Sequence, residues 1–371
     1  MDNLRTIIIL LVVMYHVGGV YEAAGLWAGF WIVDDPDTIT WVGIVGIVFD
    51  IIVMPTMFFI AGYLTPPSLD NRSGWEFLKK KFQRLIIPWL IAVFTLIPLY
   101  KVIFLYSRSL PQEPWYTYFH FNNPNSQNWL WFLPVLFAFD IVYLLPSKTG
   151  IKLSKLSLNL AVWGSFVIAL AYSFVIGGLV GFRSWTLTPV IDFENEKLLV
   201  YFLAFLVGAL CFRKNAFAGK PQRKTLYIVA NSVAWLPITV HIFARLYPIL
   251  YWESFAVTPL FRLIWFASFH LSVVSMVYTL VVTFWLYFDK TGPVWAELNR
   301  DSYGVYIIHV IVIGVFGTLL MRTGLPALAK YPLLIIITYL VSNLLVSLFR
   351  AGKRVLKSGQ SKSIPQTTDA Q

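Results

Sequence analysis

Charged residues are scarce in this chain. Only 13% of its 371 residues are Asp, Glu, Lys or Arg and 58% are hydrophobic, whereas a soluble domain carries about 25% charged residues. The mean hydropathy is +0.70. These values exclude a disordered chain, a collagen-like fibre and an ordinary soluble domain. They also exclude an outer-membrane barrel, because alternating strands give a much weaker hydropathy signal. The composition therefore predicts an all-α, polytopic membrane protein.

Cysteine is almost absent as well. The single Cys211 excludes an intramolecular disulfide and a thiolate metal cluster. Because it lies in an apolar stretch, we expect it to be an inert packing residue. Histidines and carboxylates do not occur at the spacings that are typical of metal ligands, so the sequence predicts no metal site.

Long apolar runs predict a bundle of about ten transmembrane helices, since each crossing needs about 20 residues. We expect the first run to be a retained helix, because no A-x-A cleavage site follows it. Residues 1–349 then form one transmembrane domain, and the polar, basic residues 350–371 are predicted to be a disordered tail. The predicted spans are 6–22, 41–64, 85–106, 129–145, 158–180, 196–212, 225–243, 259–287, 302–321 and 331–349.

The basic residues predict the orientation. With the amino terminus in the cytoplasm, 21 of the 29 lysines and arginines lie at the inner ends of the spans or in the tail. Cytoplasmic loops are enriched in these residues, and an even number of spans places the tail on the same side. We therefore expect both termini in the cytoplasm and a multi-pass protein of the cell (inner or plasma) membrane. The net charge of +11 reflects these loops, and nucleic acid is not an expected partner.

Two polar residues of the first span share one helix face. Arg5 and His16 are eleven residues apart, which is close to three helical turns and a rise of about 16 Å. Arg5 can hold phosphate by forked, charge-assisted hydrogen bonds, and His16 can accept a proton from a hydroxyl. A donor shaped like coenzyme A would span the two. The alternatives are that Arg5 is a positive-inside anchor and that His16 is an interhelical hydrogen bonder.

A catalytic histidine needs a partner that orients its ring. Asp50 in the second span is the first candidate, because its depth below the outer membrane face agrees with that of His16 within roughly 5 Å. Asp140 in the fourth span lies deeper and is a weaker candidate. Either carboxylate could instead be hydrogen-bonded structure or part of a proton path.

Further polar groups mark the inner half and the outer loops. The basic cluster Lys79, Lys80, Lys81 and Arg84 could bind the donor phosphates or lipid head groups. Ser302, Tyr306 and His309 line one helical stripe, where they could contact a pantetheine arm or only another helix. His241 and His270 are expected to be interhelical, and Gly62 to permit close packing. The aromatic loop around Trp115, Tyr116, Tyr118, Phe119 and His120 fits an interfacial belt or a platform for a hydroxylated acceptor.

Several segments resemble the acyltransferase-3 family of integral membrane acyltransferases. The first helix matches the family's Arg-ten residues-His motif at Arg5 and His16, and its opening residues 2–6, DNLRT, resemble a branch with glucan-modifying members. Residues 55–64, PTMFFIAGYL, are similar to the family's Phe-Phe-x-Ser-Gly segment but carry Ala61 in place of Ser. Residues 81–89, KFQRLIIPW, resemble its Arg-x-x-Arg-Leu-x-x-Pro entry, with Lys81 in place of the first Arg.

Two later segments extend the resemblance over about residues 2–345. Residues 129–133, WLWFL, are similar to the aromatic helix start that follows a long outer loop in the family. Residues 302–309, SYGVYIIH, resemble its Ser-Tyr-x-x-Tyr-x-x-His segment.

The resemblance implies an O-acyltransferase that moves an acyl group, with acetyl expected first, from cytoplasmic acyl-CoA to a hydroxyl of a cell-envelope glycan or similar acceptor. Acyl-CoA would be a substrate, and no permanently bound cofactor is implied. In this interpretation Arg5, Lys81 and Arg84 hold the donor phosphates and Tyr306 and His309 line its path. His16 acts as base or acyl carrier, Asp50 orients it, and Tyr15 is a guess for the oxyanion donor. The alternatives are a transporter or flippase for a glycan or organic anion, and an inactive scaffold.

Overall fold

The computed structural model describes residues 1–23, 30–118, 127–149, 156–219, 224–250 and 258–361. Below, the inner end of the bundle is the end at which the chain begins, and the outer end is the opposite one. The first six α-helices are α1 (Asp2–Tyr21), α2 (Thr40–Leu69), α3 (Gly74–Lys81), α4 (Ile87–Ser107), α5 (Phe132–Thr149) and α6 (Leu158–Val180). The remaining six are α7 (Leu198–Arg213), α8 (Thr225–Val233), α9 (Trp235–Leu250), α10 (Pro259–Tyr287), α11 (Pro293–Met321) and α12 (Ala327–Ser361).

Three short helices and one hairpin complete the described fold. A π-helix, Phe82–Ile86, joins α3 to α4, and a 3₁₀-helix, Asn128–Trp131, leads into α5. A second 3₁₀-helix, Trp115–Tyr118, follows α4 at the outer end. Strands β1 (Trp185–Thr186) and β2 (Phe193–Glu194) pair antiparallel between α6 and α7.

These elements confirm the predicted all-α bundle. Within the described residues, nine helical segments are long and apolar enough to cross a membrane, and α7 is a shorter apolar helix of 16 residues. The largest differences are at helix ends. The helical segment of the predicted span 85–106 begins at Gly74, and that of the predicted span 302–321 begins at Pro293. The last helix runs on to Ser361. The predicted tail boundary at 349 therefore lies within a helix, and residues 362–371 lie outside the described part.

Glycines let α2 and α7 approach each other closely. A Cβ on Gly62 would lie 1.9 Å from the carbonyl oxygen of Phe205, and one on Gly208 would lie 2.1 Å from that of Phe59. Only glycine leaves room for such backbone contact. The prediction that Gly62 serves helix packing is confirmed.

Helix α1 lies inside the bundle, whereas other helices present apolar side chains to its outside. Leu4, Ile8, Val13 and Val17 of α1 are fully buried. By contrast, α6, α8, α9 and α12 expose large apolar residues, among them Leu179, Leu226, Leu236 and Phe349. In a membrane protein such exposed faces are those that contact lipid. The apolar face of α1 is therefore held in the protein interior, and the polar Asn3 and Thr6 are buried with it.

The segment after α1 folds back over the outer end of the bundle. Trp31, Ile32 and Val33 are fully buried. Arg108 donates to the carbonyl of Trp31 at 2.9 Å, and Asp35 forms a buried ion pair with Lys330 at 3.0 Å. This segment, residues 30–35, is called the outer plug below.

Candidate active site

His16 meets a second histidine. Its Nδ1 lies 2.8 Å from Nε2 of His309 on α11. His309 is fully buried and His16 is half-buried. The partner that the structure gives to His16 is thus His309, and not the predicted Asp50.

The hydrogen bonds of His309 assign the tautomers of both rings. Nδ1 of His309 lies 2.7 Å from the carbonyl oxygen of Tyr306, so this nitrogen carries the proton and donates it. In a neutral imidazole the other nitrogen is then an acceptor. Nε2 of His309 therefore accepts from Nδ1–H of His16, and the lone pair of His16 lies on Nε2. This is the protonation state that a general base requires.

Aromatic residues hold the histidine pair in place. Trp31 of the outer plug stacks on the His16 ring, with the ring centroids 5.1 Å apart and the planes at 15°. The Tyr306 hydroxyl donates to the carbonyl of Trp129, and the Trp129 indole donates to the carbonyl of Ile307 at 2.9 Å. The turn of α11 that carries His309 is thereby fixed to the start of α5.

Arg5 contacts α11, as His16 does, but nearer to the inner end. Its Nε donates to Oγ of Ser302 at 3.2 Å and its NH2 group to the carbonyl of Asn299 at 3.0 Å. The contacts of Arg5 and His16 with α11 confirm that the two side chains share one face of α1. Between these contacts Val12 and Val305 are buried in the core, so the interface of the two helices is packed along its middle.

Arg84 contacts α11 through its backbone. The Tyr303 hydroxyl donates to the backbone carbonyl of Arg84 at 2.6 Å, and Tyr303 follows the residue that Arg5 contacts. The side chain of Arg84 is exposed, and that of Arg5 is 31% exposed. Arg5 and the backbone of Arg84 therefore contact consecutive residues near the inner end of α11.

Lys81 forms an internal ion pair and does not bind donor phosphate as predicted. Its Nζ lies 2.9 Å from Oδ1 of Asp140 and 3.1 Å from Oγ1 of Thr65. Asp140 is fully buried, and a buried carboxylate needs a charged partner. Lys81 is thus taken up by an internal ion pair. The same contact rules out the weaker prediction that Asp140 orients His16.

Asp50 belongs to a different cluster in the outer half. Its carboxylate accepts two hydrogen bonds from Lys197, at 2.8 and 2.9 Å, and lies 3.6 Å from Arg245. Lys197 also binds Glu194 at 2.9 Å. The group of Asp50, Glu194, Lys197 and Arg245 is called the aspartate cluster below. The prediction that Asp50 orients His16 is therefore replaced by His309 in that position.

Glu196 borders the aspartate cluster just before α7. Its Oε2 accepts from the backbone N–H of Arg183 at 2.7 Å. Burial, and then the neighbouring charge of Glu194, raise the pKa of Glu196 to about 7.

The other polar and aromatic residues singled out in the sequence lie partly within the described residues. His241 forms a hydrogen bond with Ser268, and His270 forms one with Ser173, so both are interhelical as predicted. Cys211 is buried. Trp115 and Tyr116 are exposed at the outer end, whereas Phe119 and His120 lie outside the described part. Among the described residues no group of His, Cys, Asp and Glu could hold a metal ion.

Sequence reasoning missed Trp31 as a site residue. Its signal was present, because residues 30–33, FWIV, form an apolar run directly before the acidic residues Asp34 and Asp35 of the outer loop. His309 was noted, but its pairing with His16 was not predicted.

Comparisons with known proteins give one finding. The model of a family described as an acyltransferase domain, acyltransferase 3, matches residues 1–348. No curated protein and no solved structure matches the chain. A match over nearly the whole described bundle supports an enzyme over the transporter and scaffold alternatives.

Proposed function

The chain belongs to the acyltransferase-3 family and is a membrane acyltransferase, and on this premise we propose the two substrates that it joins. The donor is acyl-CoA, with acetyl-CoA as the first expectation, which binds at the inner end. The acceptor is a hydroxyl of a cell-envelope glycan or a similar compound, presented at the outer end. The membrane is the cell membrane, with the inner end in the cytoplasm as the basic residues predict.

The observation that carries the proposal is the histidine pair. His309 fixes the proton of His16 on Nδ1, so Nε2 can take a proton from the acceptor hydroxyl. Positioned proton transfer of this kind contributes typically 10²–10⁴-fold to a rate. His309 contacts the base and acts through it, so it is a positioning residue.

The donor phosphates meet cations at the inner end. Arg5 contacts Ser302 and the backbone of Arg84 contacts Tyr303, and Lys79 is exposed on the short helix that leads towards Arg84. Guanidinium groups suit phosphate because they bind it through two parallel hydrogen bonds. Because the α1–α11 interface is packed, the pantetheine arm needs a path that opens beside it.

The chemistry balances without a metal or a second cofactor. As Nε2 of His16 takes the proton, the acceptor oxygen attacks the thioester carbon, the C–S bond breaks, and the CoA thiolate leaves and is protonated. In the alternative sequence Nε2 itself attacks the thioester carbon, the C–S bond breaks, and the CoA thiolate leaves and is protonated. The acceptor hydroxyl then attacks the acyl-histidine, the C–N bond breaks, and the freed imidazole takes up the hydroxyl proton. Both sequences need His16 in the same tautomer.

The test is release of CoA by the purified protein. With labelled acetyl-CoA and an envelope glycan fraction, wild-type protein should release CoA and label the glycan. His16→Ala should lower the rate by about 10²–10⁴-fold. His241→Gln is the matched control, since His241 is also a buried histidine but contacts α10. Undiminished release by His16→Ala would contradict the proposal, and transport of glycan without CoA release would point to the transporter alternative.

A further inference from the structure

A narrow cleft at the outer end separates α1 from α2. Its walls include Tyr15 and Glu22 of α1, Asp50 of α2, and the side chains of Arg183 and Arg245. Two glycines of α2, Gly43 and Gly46, place no side chain in the cleft on this side of the helix. A Cβ on Gly46 would lie 3.8 Å from the ring of Tyr15.

The two ends of the cleft differ in charge. Glu22 packs against Gly43 at the rim, since its Oε1 lies 3.3 Å from the position of a Cβ there. Asp50 is seven residues further along α2, which is about 10 Å deeper. Arg183 and Arg245 interact electrostatically with Asp50 and with each other, so the cations lie at the deep end.

Within the described part of the chain, the cations at the deep end are not all held in ion pairs. Asp50 and Glu194 bind Lys197 and Arg245. Among the described residues, no carboxylate forms an ion pair with the guanidinium of Arg183. Arg183 is exposed and its φ is +55°, a backbone conformation that is unfavourable for a residue other than glycine and is often found at ligand sites. The carboxylate of Glu196 stabilises this conformation by accepting the Arg183 N–H.

We infer that the deep end of this cleft binds an anionic group, a carboxylate or a phosphate, of the hydroxylated acceptor. Guanidinium groups bind both kinds of oxyanion through paired hydrogen bonds. Tyr15 separates the cleft from the histidine pair, with its ring 5.5 Å from that of His16. An acceptor anchored at Arg183 and Arg245 is thus held one aromatic side chain from the proposed base. The inference rests on the proposed function for the identity of the ligand as acceptor.

The experiment compares three sugars by isothermal titration calorimetry with the purified protein. Methyl glucoside is neutral, methyl glucuronide carries a carboxylate, and glucose 1-phosphate carries a phosphate. Wild-type protein should bind one or both anionic sugars roughly tenfold or more tighter than methyl glucoside, and the stronger of the two identifies the anion. Arg183→Gln should lose this preference. Arg322→Gln should keep it, because Arg322 is also an exposed outer arginine but lies over the Tyr106 ring.

Equal binding of all three sugars by the wild type, or a preference that survives in Arg183→Gln, would overturn the inference. CoA release with each sugar is measured in parallel. Preferential binding of the anionic sugars with no CoA release would leave the anion site in place and count against the proposed transfer. Equal CoA release with all three sugars, unchanged in Arg183→Gln, would leave the transfer in place and overturn the anion site.

Discussion

The histidine pair and the aspartate cluster lie in the same half of the bundle and are stabilised in opposite ways. His16 and His309 are held by neutral hydrogen bonds and by the ring of Trp31. Asp50 is held by two cations, which in turn need Glu194. A neutral pair can exchange a proton at small cost, whereas a buried ion pair is costly to disturb. The first arrangement suits chemistry, and the second suits a fixed binding surface.

The two regions meet at consecutive residues of α1. Successive residues of a helix point about 100° apart, since 3.6 residues complete a turn. Tyr15 therefore faces the cleft beside α2, while His16 faces α11. The side chain of Tyr15 thus lies between the proposed reaction centre and the proposed anion site.

The largest expected effect is on the aspartate cluster. Asp50→Asn removes the charge that holds Lys197 and Arg245, and breaking a buried ion pair costs roughly 3–5 kcal/mol of unfolding free energy. Asp70→Asn is the control, because Asp70 pairs with Arg213 where both side chains are at least a third exposed, and such a pair is worth about 0–1 kcal/mol. Denaturation of both variants in detergent checks this. Equal losses of stability would show that the aspartate cluster is not under the constraint that its contacts indicate.

The next effect concerns the histidine pair. His309→Ala should lower kcat by about 10–100-fold, by analogy with the loss seen when a group that orients a metal-bound histidine is removed, while KM for acyl-CoA stays close to the wild-type value. His309→Gln should recover part of the loss, because its side-chain oxygen can accept the Nδ1–H of His16. If Gln and Ala reduce kcat equally, orientation of His16 by a hydrogen bond is not the role of His309.

A smaller effect is expected one turn away. Tyr306→Phe leaves the buried carbonyl of Trp129 without the hydroxyl that now bonds it, which should cost about 1–3 kcal/mol of stability and lower kcat less than His309→Ala does. Tyr303→Phe, on the same helix, loses a bond to the carbonyl of Arg84 near solvent and should lose less stability. Thermal unfolding and initial rates of the two variants provide the comparison, and a larger loss in Tyr303→Phe would reverse the assignment of which bond supports the site.

The number of helices and the shared face of Arg5 and His16 could be predicted because both follow from distances along the chain. Hydropathy reports how long an apolar run is, and helical periodicity reports which side chains of one helix point together. The depth of Asp50 was also predictable from the number of residues below the outer end. Its partner was not, because depth gives no information on the direction in which a helix faces its neighbours.

The pairs that the sequence did not predict all join distant parts of the chain. His16 meets His309 and Lys81 meets Asp140 through packing of whole helices. Trp31 reaches His16 because the outer plug is fixed at two points: Arg108 donates to the carbonyl of Trp31, and Lys330 pairs with the carboxylate of Asp35. Such contacts depend on tertiary arrangement, which composition, periodicity and spacing do not encode locally.

The smallest expected effect is the change of stability with pH that Glu196 causes beside the aspartate cluster. The pKa of Glu196 is about 7 in the folded protein, above its ordinary value of 4.5, so the folded state binds more protons than the unfolded state between these values. Stability should therefore fall as the pH rises from about 4.5 to 7 and change little above 7.

Glu196→Gln keeps an acceptor for the Arg183 N–H and removes the group that titrates. At pH 8 its Tm should therefore exceed that of the wild type by roughly 2–4 °C. Below about pH 4, where Glu196 is protonated in both states, the two proteins should unfold together. Glu113→Gln, at an outer glutamate that pairs with Lys101, should follow the wild-type curve, and parallel curves for Glu196→Gln and the wild type would mean that Glu196 does not titrate in this range.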